Sequence, residues 1–446
     1  MQLIHLASAL ALSIAGIFAS SAVASEPLSA DSLRGLTHEQ AKIAQLKNDQ
    51  KIIFVGSGEQ TSRDSIQRAI ELFYTDQFRH FQDPIAPYFM FMSKDAKLAM
   101  GIGGAVRMRA WGDFDGSIST NGFVPAMITV PSSPEHRRRI GGTPGGTVLF
   151  FKIIGRNKTL GDITGYIQAD FSGDHNYFKL KKAYATINDW TIGLANTTFS
   201  DGAAEAPTID GAGQNGKCSR SSMLVRWLHN FNPRWEMAAS IEWPSDNIAA
   251  DGTLTKRLDD YLPDVATFGQ FNFGNGSHIR LSGLLRFMPY RDLVNNTSHT
   301  RTGWGVQLSG VWNVIPSFSL FGEFNTGHGY SSYTADLSIG NYDLVPDKDA
   351  PGRLYAPLSM GLIAGARYDF SSKIYTTMAL GKAAYYPSYQ ADPDDYRYGL
   401  YGSLCLFYEP TTRLQAGIEY LRGSRHNFSG QSASANRIDV LFQFSF

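Results

Sequence analysis

The last ten residues, Arg437-Ile438-Asp439-Val440-Leu441-Phe442-Gln443-Phe444-Ser445-Phe446, alternate apolar and polar up to a terminal aromatic carboxylate. Ile438, Val440, Phe442, Phe444 and Phe446 form one face, and Asp439, Gln443 and Ser445 fall on the other. A soluble amphipathic strand shows the same alternation, but its position at the very end of the chain favours a strand that meets lipid on one side and water on the other. A strand tilted across a bilayer needs about 9 to 11 residues. Its backbone edge cannot be left open in hydrocarbon, so a single such strand implies a closed barrel.

Met1 to Ala24 contains no Asp, Glu, Lys or Arg, Leu6 to Phe18 is an apolar run, and Ala22-Val23-Ala24 precedes Ser25 as a small-x-small pattern. This predicts a secretory signal over 1–24, although its first residues lack the usual Lys or Arg. A retained membrane helix is the rival, but the apolar run is shorter than the roughly 20 residues a spanning helix needs. Aromatic residues make up 13% and Gly reaches 44 residues, which suits strands and turns better than helices. Forty basic residues balance forty acidic ones, so global charge points to no partner and does not indicate nucleic acid. Cys218 and Cys405 are too few for a disulfide framework and lack metal-ligand spacing; they either pair or stay free.

From about Lys97 onward, period-two segments recur. Strands are expected near 97–113, 148–156, 162–172, 177–188, 190–200, 218–230, 235–244, 264–273, 278–288, 302–313, 318–326, 359–370, 373–385, 397–408, 413–423 and 436–446, sixteen in all. Tight connections such as Asn188-Asp189, Phe231-Asn232-Pro233-Arg234 and Gly274-Asn275-Gly276-Ser277 alternate with long loops, the longest near 114–147 and 327–358. The reading is an all-β, transmembrane antiparallel β-barrel with periplasmic turns and extracellular loops over 88–446. About sixteen strands leave an aqueous channel, whereas about eight would be filled by side chains.

Residues 25–87 are expected to form a periplasmic extension with one helix. Thr61-Ser62-Arg63-Asp64 offers a capping-box start, Ile66, Ala69, Ile70, Phe73 and Gln77 follow at helical spacing, and Pro84 is a stop. It either packs against the barrel from outside or enters the lumen as a plug. Upstream, Leu36, Ile43, Leu46 and Ile53 give a heptad trace too short for a coiled coil.

Alternation, applied strand by strand, turns ten basic residues toward the water-filled interior: Arg107, Arg109, Lys152, Lys179, Lys181, Arg220, Arg226, Arg280, Arg286 and Arg367. Five acids share that parity, Asp170, Glu236, Glu242, Glu323 and Glu419, so the lining is expected to be net positive and to favour small anionic solutes. Pairing of each Arg with a carboxylate would cancel the effect. In the third long loop, Asp201, Glu205 and Asp210 are expected to line or brace a constriction, the alternative being a solvated loop tip. Lys182, Thr186, Asn196 and Thr198 fall on the outward parity, where a Lys is costly against lipid. Either the register slips at a bulge there, or these strands face another copy in an oligomer.

The terminal Phe446 strand resembles the last strand of Gram-negative outer-membrane proteins, which the barrel assembly machinery reads. Ala183-Tyr184, Trp190, Gly193, Thr197-Thr198-Phe199 and Pro207-Thr208-Ile209-Asp210-Gly211 together resemble the strand-turn-strand-loop of DcaP-like trimeric outer-membrane porins. That resemblance spans about a tenth of the chain. It implies a sixteen-stranded homotrimer in the Gram-negative outer membrane, in contact with lipid and lipopolysaccharide, passing dicarboxylate-like solutes without a cofactor. The short heptad trace departs from a trimeric coiled coil.

A barrel enzyme and a plugged adhesive barrel are the rival classes. There is no Gly-x-Ser-x-Gly elbow and no His-Glu-x-x-His motif, so no catalytic residues and no metal site are assigned. Gly211-Ala212-Gly213-Gln214-Asn215-Gly216 has dinucleotide-fingerprint spacing but precedes a strand, not a phosphate-binding helix. Asp392, Asp394 and Asp395 read as a solvated acidic loop.

Overall fold

The computed structural model describes residues 33–446 apart from 34, 58, 76, 77, 174, 175 and 390. The expected secretory signal and Gln77 lie outside the described residues. Sixteen strands close into an antiparallel barrel: Leu98–Phe114, Val148–Asn157, Gly161–Asp170, Lys179–Ile187, Trp190–Asn196, Ser221–Asn232, Trp235–Glu242, Asp264–Asn272, His278–Asp292, Thr297–Ile315, Phe318–His328, Leu358–Asp369, Ile374–Tyr386, Tyr396–Thr411, Leu414–Asn427 and Ser432–Ser445. The last pairs with the first, from Asn436 opposite Phe114 to Ser445 opposite Ala105, so the ring has no free edge. Among the described residues no helix is long and apolar enough to cross a membrane; the strands do so.

The final strand shows why these residues make a wall. Ile438, Val440, Phe442 and Phe444 are 44–52% exposed, while Asp439 between them is fully buried. Outward apolar side chains of this kind recur around the barrel, and each gains about 1.5–3 kcal/mol on leaving water for hydrocarbon. The two-residue connection at Asn188-Asp189 turns with Asn188 at φ 50°, a conformation Asn tolerates.

The extension holds two helices where one was expected. Helix α1 is His38–Asn48 and helix α2 is Arg63–Tyr74. The capping box belongs to α1, where Thr37 and Gln40 cap each other; at α2 the N-cap Ser62 makes no capping bond. A short strand, Lys51–Val55, follows α1 and pairs parallel with Phe89–Ser93, so the heptad trace from Leu36 to Ile53 does not run along one helix. Ile66, Ala69, Ile70 and Phe73 of α2 pack against Phe150, Ile154 and Tyr166, which share the inward face of Lys152. Pro87 runs over the inner face, close enough to Gly101 and Gly103 that a Cβ at either would meet it at 2.6 and 2.8 Å. The extension therefore enters the barrel mouth.

The outward parity of Lys182 and its neighbours is corrected by a bulge, the first of the two alternatives expected there. Gln168 pairs with Lys182 but Ala169 pairs with Leu180, which leaves Lys181 as an extra residue and reverses the parity beyond it. Lys182 is buried inside, its ammonium 2.7 Å from Asp83. Thr186 is bonded to Thr191, Asn196 donates to the Phe78 carbonyl, and Thr198 is fully buried and accepts from Arg226. These residues provide no outward polar face. Cys218 and Cys405 are both buried free thiols.

Candidate pore lumen and constriction

The wall cations are held in distinct ways. Arg109 donates to Asp210 at 2.8 Å and Asp439 at 3.3 Å; Arg286 pairs with Asp264 at 3.1 Å and Asp343 at 2.9 Å. Arg280 donates to Gln270 and the Ser200 carbonyl and lies 3.8 Å from Asp201, with its guanidinium over Phe268. Arg367 bonds Asp369 and His38. Lys181 reaches Asp170 at 3.2 Å, and the exposed Lys179 stands opposite that same Asp170. Lys152 donates to the carbonyls of Phe73 and Thr75, at the end of α2. Arg226 donates to Thr198 and covers the ring of Phe78 at 3.7 Å. Arg107 donates to the Ile209 carbonyl, and Arg220 to those of Ser245 and Trp243; among the described residues neither makes an ion pair.

The wall acids do not simply cancel these charges. Glu242 accepts from the Thr198 N–H, Glu323 from the Cys218 N–H and Glu419 from the Asp210 N–H, at 2.6–2.8 Å. Each thus ties down backbone of the third loop or its flanks, whose donors would otherwise be buried unmet. Glu236 is buried among the same strands.

That loop lies inside the barrel. Asp201 meets His278 at 2.9 Å and Ser309 at 2.7 Å; Glu205 meets Lys217 at 2.7 Å and His80 at 3.0 Å; Asp210 accepts from Arg109 and from the Phe123 N–H. All three carboxylates are buried. Burial acts to raise the Asp201 carboxyl, but Arg280 and His278 outweigh it and hold it below the usual range. Burial likewise opposes ionisation of Glu205, yet Lys217 and His80 bring it down to about 2. The loop sits flush because the wall is glycine where it passes: a Cβ at Gly361 would lie 2.1 Å from the Gly216 carbonyl oxygen, and one at Gly365 2.4 Å from the Ala206 methyl. Gly216 serves this close approach from the loop's side, since a Cβ there would meet the Lys382 carbonyl oxygen at 2.3 Å.

The extension meets the loop from below. Asp83 accepts from Lys182 and from Gln168 at 3.0 Å, and Gln82 donates to the Asp210 carbonyl at 3.1 Å. Burial disfavours the charged Asp83, but Lys182 and His80 dominate and keep its carboxyl below the usual range. A cavity of 490 Å³ is lined by Arg107, Arg109, Lys181, Lys182, Lys217 and Arg220, against the carboxylates of Asp83, Asp170 and Glu205. A second, of 270 Å³, shares His80, Gly202 and Glu205 with the first.

Several of these groups were missed in the sequence. Arg437, fully buried on Asp113 at 2.5 Å, has the parity of Asp439 and was legible by alternation. Lys217, Asp264 and Asp343 sit in or beside loops, and Asp83 and His80 in an aperiodic segment, where period two assigns nothing.

The chain matches the family described as DcaP outer membrane protein over residues 91–446. Among solved structures it is similar to the outer membrane channel DcaP of Acinetobacter baumannii, at 19% identity and a TM-score of 0.68, over 79% of this chain and 98% of that one. It is also similar to an anion-selective porin from Comamonas acidovorans, at 11% identity and a TM-score of 0.51, over 78% and 100%. OmpT of Vibrio cholerae gives 11% identity and a TM-score of 0.50, over 78% and 98%. A search of curated proteins gave no match. A closed sixteen-stranded wall around a polar lumen, matched by family along most of its length, makes this a channel of the Gram-negative outer membrane, and the chain belongs to the DcaP outer membrane protein family.

Proposed function

We propose that the chain is a porin for passive diffusion of small anions, dicarboxylate-like in character, and that it works as a homotrimer. The observation that carries this is the cationic excess of the 490 Å³ cavity, six Lys and Arg side chains against three carboxylates. Low-dielectric walls focus such a field, so an entering carboxylate gains attraction and a cation meets repulsion. Two separated cations, Arg107 and Arg220, keep their charge unspent on any ion pair among the described residues, which suits a solute with two anionic ends. The similar Comamonas structure is described as an anion-selective porin.

In this reading Asp201, Glu205 and Asp210 brace the constriction and take no direct part in attracting solute. Arg109, Lys152, Lys179, Lys181, Arg226, Arg280, Arg286 and Arg367 shape the remaining field of the lining. Phe446 serves recognition by the barrel assembly machinery, and the outward apolar band contacts lipid.

Planar-bilayer recording in a salt gradient tests the charge preference. The expected reversal potential has the sign of anion flow, and a cation-selective value would remove the reading. Liposome swelling compares solutes: succinate is expected to enter faster than a neutral molecule of its size. Cross-linking in detergent is expected to trap a species of three chains.

A further inference from the structure

Among the described residues the outer wall is largely apolar, and a basic area interrupts it on three neighbouring strands. On the neighbouring strands Ile374–Tyr386, Tyr396–Thr411 and Leu414–Asn427, Lys382, Leu400 and Ser424 stand abreast. One step toward the periplasm stand Leu380, Gly402 and Arg422. Leu380 and Leu400 are 48% and 42% exposed on the lipid side, so Lys382 and Arg422 share that face. One step toward the extracellular side, Tyr398 stacks on His426 at 4.3 Å, and the Lys382 ammonium lies 5.3 Å from the Tyr398 ring centre. Arg397 occupies the extra place where the register jumps between Tyr396 and Tyr398, and it is exposed.

Lys382 lies four residues below Tyr386, about 10 Å along a tilted strand, at the depth where the outer leaflet turns from headgroup to acyl chain. A bare cation there needs a counter-charge. Among the described residues none of Lys382, Arg397 and Arg422 makes an ion pair. A second copy would not supply one from its wall: strand carboxylates such as Asp113, Glu242, Glu323, Glu419 and Asp439 are buried toward the lumen, while Asp162 and Asp369 sit by the short turns. The membrane itself offers the complement. We propose that Lys382, Arg397 and Arg422 form a site for a phosphate group of the outer leaflet's phosphorylated glycolipid. Arg422 presents a guanidinium fork to the phosphate oxygens, Gly402 leaves room beside it, and the hydroxyl of Ser424 lies next to it on the same face.

The experiment compares the wild-type protein with Lys382→Ser/Arg422→Ser and with the charge-keeping pair Lys382→Arg/Arg422→Lys. Each is purified in mild detergent and offered a bis-phosphorylated lipid A or its dephosphorylated form, with bound lipid counted by native mass spectrometry. The serine pair is expected to retain at least ten-fold less phosphorylated lipid. The charge-keeping pair retains it, and the dephosphorylated lipid binds weakly to all. Equal retention by the serine pair overturns the site. So does wild-type protein that holds both lipids equally, a comparison that stands even if a variant fails to fold. Dissociation of the oligomer with lipid retention unchanged also overturns it, because the patch is then a contact between subunits.

Discussion

His80 of the N-terminal extension and Glu205 of the third loop meet inside the barrel, imidazole Nε2 to carboxylate Oε2 at 3.0 Å. The contact stands in the wall common to the 490 and 270 Å³ cavities, so a solute passing from one to the other must go around or through it. The extension is held inside the barrel by Asp83 on Lys182 and by Phe78 under Arg226. A variant lacking residues 33–81 is expected to conduct several-fold more than the full chain in single-channel recording. His80→Ala should give a smaller increase. Unchanged conductance in both would show that the extension leaves the path clear.

Arg107 and Arg220 are the test of selectivity, since their guanidinium groups hydrogen-bond backbone carbonyls, that of Arg220 also lying 4.6 Å from the Tyr333 ring centre, and neither makes an ion pair among the described residues. Arg107→Ser/Arg220→Ser is expected to keep conductance within about two-fold while moving the zero-current potential toward the neutral value, because two of the field's sources are gone. A reversal potential equal to the wild type would place the selectivity elsewhere.

Arg109 has a different role. Its guanidinium joins Asp210 to Asp439, and Glu419 approaches the same loop through the Asp210 N–H. Arg109→Ala leaves these buried carboxylates facing one another without their cation, a loss on the order of 3–5 kcal/mol. The expected result is a barrel that still assembles but unfolds at lower temperature in detergent, with an unsteady open-channel current as the loop comes free. Arg109→Lys should recover part of the stability.

The barrel was legible because lipid outside and water inside impose period two on every strand; the sixteen strands and their short turns follow from that one constraint. Parity alone puts Lys182 outward, and of the two explanations its cost against lipid suggests, the register slip is the one that holds: a single extra residue at Lys181 reverses parity beyond it. The polar run itself, with Thr186 and Asn196, was the trace that something had slipped. Helix α1 announces itself in Thr37-His38-Glu39-Gln40, a capping box as good as the one assigned to α2. The pairing of Asp83 with Lys182 was not legible at all, since 99 residues separate them and no local pattern marks the acid. The wall acids face inward as parity requires, yet Glu242, Glu323 and Glu419 accept from N–H groups of the third loop and its flanks, which side-chain patterning does not reveal.

The glycine shelf under the third loop gives a steric prediction. Gly365→Val places its branched carbon where the Ala206 methyl already lies, at 2.4 Å for the Cβ alone. The loop must lift into the lumen, so conductance is expected to fall several-fold while the fold survives, overpacking of this kind costing about 1–3 kcal/mol. The same change at Gly322, whose Cβ would meet only the Ile363 carbonyl at 3.7 Å, serves as control and should leave conductance unaltered.

Asp336 ties the 327–358 loop to the third loop and to the wall, accepting from Asn215 at 2.9 Å and from the Tyr396 hydroxyl at 3.0 Å. Burial pushes its carboxyl up to about 7, against the help of those two donors. The folded group thus binds its proton more tightly than the exposed one, whose value is near 3.9. Stability of this anchor is highest below about pH 4, falls as pH rises between that value and about 7, and levels off above. The opening equilibrium of the 331–340 segment should grow by up to about ten-fold per pH unit within that window. Hydrogen exchange from pH 5 to 8, corrected for the intrinsic rate, is expected to show protection declining to about pH 7 and then flat. Asp336→Asn, neutral throughout, is expected to remove the slope; a slope that survives the substitution assigns the titration to another group.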